Sequence, residues 1–130
     1  MSLKSPEPLS DLLPYPPRIG WSQRCYDNCL TVFVVGELDL AVAAELRARL
    51  AEVVRTARTR TIVLELSGVR FIDAHCAGLI VGAHIAAGRQ GRQLRVASLR
   101  PQPSRLFGLL GLEGLLAHAV GSGPIGSADE

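Results

Sequence analysis

The feature that most constrains this chain is the repeated switch of its hydrophobic period, from about 2 residues to about 3.6 and back. Trp21 to Tyr26 and Cys29 to Val35 are short aromatic and β-branched runs. Asp27 and Asn28 between them tolerate turn geometry, so a β-hairpin is predicted. Gly36 ends the second strand, after which Val42, Leu46, Leu50, Val53, Val54 and Ala57 recur at helical spacing. Glu45, Arg47, Arg49, Glu52 and Arg55 take the opposite face of that helix. Thr61 to Leu66 sets Ile62, Leu64 and Leu66 to one side with Glu65 as a polar residue on the other, the pattern of a nearly buried central strand. Asp73 then caps a second helix, Ala74 to Gln90, which is apolar on almost every side and needs more than one covering neighbour. Gln93 to Ser98 reads as a strand, Ser104 to Leu110 as a helix ending at Gly111, and Leu116 to Val120 as a last short strand.

Helices between strands imply right-handed crossovers. The expected fold is therefore α/β: one domain, with a mixed sheet of four or five strands and its helices mainly on one face. A chain of 130 residues that is 48% hydrophobic holds enough apolar material for one core and too little length for two domains. Pro6, Pro8, Pro14, Pro16 and Pro17 forbid a regular helix near the start, so residues 1–19 are expected to be a Pro-rich arm. The domain is expected over 20–120, with 121–130 as a flexible Gly/Ser-rich tail.

Several function classes drop away. Ala74 to Gly88, a stretch without Asp, Glu, Lys or Arg that no other in the chain exceeds, is shorter than a membrane span, and the first residues have no apolar signal region. A cytoplasmic protein without a membrane partner is expected. The 14 basic and 12 acidic residues are spread through the chain for a net charge of +2, which makes no face for nucleic acid. Cys25 and Cys29 bracket the hairpin turn and Cys76 lies far away, so the three cysteines support no zinc site and no disulfide framework. No metal and no cofactor is expected.

Chemistry concentrates at Asp39 and Asp73, each placed where a strand gives way to a helix. Such loops collect at one end of an α/β sheet and form binding surfaces. The plainer reading makes both aspartates helix caps worth about 1 kcal/mol each. A cap can also face a partner.

Gly36-Glu37-Leu38-Asp39-Leu40, Ile62 to Ser67, Val69-Arg70-Phe71-Ile72-Asp73, Gly78-Leu79-Ile80 and Gly111-Leu112, in that order, resemble the STAS domain of bacterial anti-sigma-factor antagonists. The resemblance spans about Gly20 to Val120. It implies a partner-switching protein, not an enzyme, that binds an anti-sigma factor of the serine-kinase, ATPase-fold type and so releases a sigma factor. The partner surface it implies includes Asp39, Asp73, Ala74, His75 and Cys76. His75 stands at the position of the family's phosphorylated Ser or Thr, and neither Ala74 nor Cys76 supplies a hydroxyl. Glu65 replaces the family's usual aspartate, and little sequence remains for a closing helix.

A phosphate on the first turn of a helix is held by free N–H groups and repels an acidic partner surface, so loss of the hydroxyl implies loss of the usual switch. His75 reads as a surface or interface side chain. Two rivals stand beside this reading. One is a STAS scaffold or sensor module that binds another protein or a small ligand. The other is a redox sensor or enzyme using Cys76, since a thiol on the first turn of a helix can be activated. The apolar second helix also leaves room for a homodimer.

Overall fold

The computed structural model describes residues 19–117. In them the switch of period is realised as β1 (Gly20–Tyr26), β2 (Cys29–Leu38), α1 (Ala43–Thr56), β3 (Thr61–Ile72), α2 (Ala74–Arg89), β4 (Gln93–Ala97) and α3 (Pro101–Leu109). Short 3-10 turns, Leu40–Val42 and Glu113–Leu115, precede α1 and follow α3. The expected arm up to residue 18, the expected tail, and residues 118–120 of the expected last strand lie outside the described residues.

The four strands form one sheet in the order β1-β2-β3-β4. β1 is antiparallel to β2, while β2 with β3 and β3 with β4 are parallel. Parallel neighbours need a crossover, and α1 and α2 supply the two crossovers here. Both step the chain in the same direction across the sheet and pack against each other, so they cover the same face. Leu30, Val32 and Val34 of β2, Ile62, Leu64 and Leu66 of β3, and Leu94 and Val96 of β4 point into that layer and are buried. Leu46, Leu50 and Val53 of α1 and Ile80, Ala83 and Ala87 of α2 meet them. On the other face of β2, Phe33 and Val35 are exposed. α3 packs along β3 and inserts Phe107 into the core.

The hairpin turns through Asp27, which adopts a left-handed φ of 55°. Asn28 extends its influence to the next crossover: its side-chain oxygen accepts the Arg60 N–H at 2.9 Å, and its carbonyl accepts the Thr61 N–H at 3.3 Å. The turn thereby holds the start of β3 in register beside β2.

Gly36 does not end β2. At φ 132°, it lets the strand continue to Leu38 through an irregular register between Gly36 and Glu37. β3 likewise runs six residues past Leu66, to Ile72, because Gly68 lets its backbone lie close to β2. A Cβ at Gly68 would fall 2.8 Å from Val35 Cγ2 and 3.1 Å from the Val34 carbonyl oxygen. α3 begins at Pro101 and not at Ser104: proline in a first turn lacks only an N–H that the helix does not use. Of the predicted last strand, the described residues contain one parallel bridge, Leu116 to Val96, extended by the Ala117 N–H donating to the Val96 carbonyl at 2.7 Å.

Gly68→Ala is expected to lower stability by about 1–3 kcal/mol in chemical denaturation, because the added methyl overpacks the β2–β3 contact. Gly88→Ala, in a helix where a Cβ meets nothing within 4 Å, is the control. It should leave stability unchanged or raise it by about 0.5–1 kcal/mol.

Candidate functional site

The parallel register places Leu38 opposite Ile72, so the next residue of each strand, Asp39 and Asp73, emerges at the same end of the sheet. The two segments are joined directly: the Asp73 N–H donates to the Leu38 carbonyl at 2.9 Å. Asp39 Oδ1 accepts the Ala41 N–H at 3.0 Å, and its carbonyl accepts the Val42 N–H at 3.0 Å, which closes the 3-10 turn ahead of α1. Asp73 Oδ1 accepts the Cys76 N–H at 2.8 Å, and its carbonyl accepts the Ala77 N–H at 3.0 Å, which starts α2. Both aspartates are thus helix-start caps and both remain half-buried at the surface. The structure brings together the two carboxylates that the sequence singled out.

Ala74 and His75 occupy the exposed side of the first turn of α2. Cys76 does not lie on that surface. Its side chain is 0% exposed, and its thiol donates to the Asp39 carbonyl at 3.5 Å. Burial pushes the thiol up to about 12, and the negative charges of Asp73 and Asp39 add to the effect. A neutral, enclosed thiol is no nucleophile at physiological pH, which removes the basis for a Cys76 redox or catalytic role. Its place follows from the helical period, since Cys76, Ile80, Ala83 and Ala87 form one inward stripe. The thiol ties the start of α2 to the end of β2.

Two apolar side chains that the sequence reading missed flank the caps. Leu40 is 72% exposed and Phe71 is 40% exposed. Their signal was available, since Leu40 directly follows Asp39 and Phe71 lies two residues before Asp73. Gln102 was missed as well. β4 stops at Ala97 while β3 runs on, and Gln102 supplies the missing edge: its Oε1 accepts the Ile72 N–H, and its Nε2 donates to the Ile72 carbonyl, both at 3.0 Å. This clamp fixes the residue immediately before Asp73.

Glu65 reaches across to Ser98, the residue after β4. One carboxylate oxygen accepts the Ser67 N–H at 2.9 Å, and the other accepts the Ser98 hydroxyl. Partial burial pushes its pKa up, but the hydrogen bonds from Ser98 and Ser67 outweigh that and hold the carboxyl below the usual range. Ser98 has a left-handed φ of 64°, and this bond anchors it there. Among the described residues, no group of three or more His, Cys, Asp and Glu is arranged to hold a metal ion. The corner offers two fixed carboxylates, an exposed imidazole and the exposed apolar side chains of Leu40 and Phe71.

A family model described as "Mlab, STAS domain" matches residues 21–117. The anti-sigma-B factor antagonist of Staphylococcus aureus is 32% identical over 90 residues, spanning 69% of this chain and 82% of that protein. The anti-sigma F factor antagonist of Paenibacillus polymyxa is 29% identical over 83 residues, spanning 64% of this chain and 71% of that protein. Among solved structures, an anti-sigma factor antagonist from Mycobacterium paratuberculosis superposes with a TM-score of 0.68 at 24% identity, covering 80% of this chain and 87% of that one. The likeness shows a shared fold.

Thiol labelling of the native protein at neutral pH should leave Cys76 unmodified while exposed Cys25 reacts, with Cys76 labelled only after denaturation, as read by peptide mass spectrometry. An unfolded thiol ionises near 9.0, so the contribution of the neutral folded thiol is fully present below that pH and is lost as pH rises toward 12. Cys76→Ala should flatten the alkaline slope of stability.

Proposed function

The chain belongs to the STAS domain family, and from that premise we propose that it is an anti-sigma-factor antagonist that binds an anti-sigma factor and so frees a sigma factor. The observation that carries this reading is the joined pair of strand ends, which presents Asp39, Asp73, Ala74 and His75 on one surface with Leu40 and Phe71 beside them. The names of its relatives support the same reading. The contact is made by rigid elements: both aspartates are held as caps, and Gln102 fixes the strand before Asp73. A preorganised surface of this kind loses little conformational freedom on binding.

The partner in this reading is an anti-sigma factor of the serine-kinase type. Such a kinase finds no hydroxyl on the exposed first turn of α2, where Ala74 and His75 stand. The protein therefore binds as a permanently unphosphorylated antagonist, independent of ATP. The same missing hydroxyl favours a second reading, in which the corner serves a scaffold or sensor assembly with no phosphorylation cycle. The chain acts in the cytoplasm in either case. In support, no helix of the described residues is long and apolar enough to cross a membrane.

Calorimetric titration with the anti-sigma factor of the same genome tests the surface. Asp39→Ala should weaken binding by about tenfold or more while costing only about 1 kcal/mol of stability, the worth of a helix cap. Equal binding by mutant and parent removes Asp39 from the contact. After incubation with that kinase and ATP, intact-mass spectrometry under acid-free conditions should find the parent unmodified. His75→Ser should gain one phosphate and lose affinity, because the phosphate adds about 1.5 to 2 negative charges at the contact. A stoichiometric phosphate on the parent contradicts the loss of the switch.

A further inference from the structure

A groove of about 490 Å³ runs between α1 and α2 on the helical face of the domain. Exposed Ala51 and half-buried Leu79 and Ala86 give it an apolar lining over the buried side chains of Leu50, Val54 and Ala83, and Gly78 and Gly82 open its α2 side. A Cβ at either glycine would meet nothing within 4 Å, so internal packing does not require these residues. Glycine inside a helix costs about 0.5–1 kcal/mol relative to alanine. The bare backbone leaves room for an occupant to approach α2 closely.

The charge of the groove selects the occupant. Arg47 and Arg55 are the charged residues among its lining, and both are basic. Arg55 is paired with Glu52 at 2.8 Å, but the two side chains are 69% and 63% exposed, and such a pair exchanges partners at little cost. At the far end, Arg92 donates to the Val54 carbonyl and to the Gln90 side chain, each at 3.0 Å, which adds a third guanidinium. A second copy of this face would set arginine against arginine. An acidic partner is complementary.

Arg47 and Arg55 are eight residues apart on α1, roughly 12 Å along its axis, a separation matched by carboxylates about two turns apart on a docked helix. The lining extends along α2 from Gly78 to Gln90, roughly 18 Å, the length of about three helical turns.

We propose that the α1–α2 groove is a docking site for an acidic amphipathic helix of a protein partner. Its apolar side chains, at i, i+4 and i+7, lie on Ala51, Leu79 and Ala86, and its flanking carboxylates reach Arg47 and Arg55. This site does not require that the strand-end corner bind an anti-sigma factor.

The test uses the full chain and a labelled, helix-stabilised peptide of about 15 residues carrying leucine at i, i+4 and i+7 flanked by glutamates, with a lysine-flanked counterpart, read by fluorescence anisotropy. The glutamate peptide should bind saturably and at least about tenfold more tightly than the lysine peptide at low salt, with the difference shrinking as salt rises. Gly82→Leu fills the groove and should weaken binding about tenfold or more. Because that variant alters a helix, Arg47→Glu combined with Arg55→Glu gives an independent reading: it should reverse the preference in favour of the lysine peptide. Absence of saturable binding, equal binding of the two peptides, or an unchanged preference in the charge-reversed variant overturns the proposal. So does a concentration-dependent dimer of the parent that Gly82→Leu abolishes, because that result assigns the groove to a second copy.

Discussion

Parallel pairing of β2 with β3 is the constraint on which the rest of this structure depends. Both strands turn an apolar row toward the helices, with Val32, Leu38, Ile62, Leu64, Leu66 and Ile72 essentially inaccessible to solvent. A shift of one residue in either strand would turn that row to the bare face of the sheet, so the register is strongly specified. That register sets Leu38 beside Ile72, and every feature of the corner follows from it. The two aspartates emerge together, the helices they start run side by side, and the groove between those helices is a consequence of the same placement.

The corner is held by groups that each do local structural work. The Asp39 and Asp73 carboxylates satisfy free N–H groups at their helix starts, and the Cys76 thiol and Asp73 N–H bridge the two strand ends. Gln102 completes the edge that β4 leaves open. A surface so fixed suits recognition by shape and charge. The exposed side of the first turn of α2 carries Ala74 and His75 and no hydroxyl.

Much of this was legible in the sequence because local and global signals agree. The hairpin, α1, α2 and both caps follow from period and turn chemistry, and the STAS resemblance rests on the same residues. What was not legible depends on contacts distant in the chain. Ser67-Gly68 reads locally as a strand end, yet the strand continues because the Gly68 backbone fits against Val35 of its neighbour. Gln102 has no local pattern at all, since its role exists only where β4 is shorter than β3. Cys76 is a different case: its inward direction was present in the stripe it shares with Ile80 and Ala83, but its position next to His75 suggested a surface role.

In the proposed function this domain displaces a sigma factor by occupying an anti-sigma factor, and ATP does not reverse the exchange. The most direct measurement is titration of the purified protein into a preformed complex of the sigma factor with its anti-sigma kinase, following free sigma factor by anisotropy with and without ATP. Sigma factor should be released in proportion to added protein, with superimposable curves under the two conditions. Failure to release sigma factor at saturating protein, or release that ATP abolishes, would contradict that function.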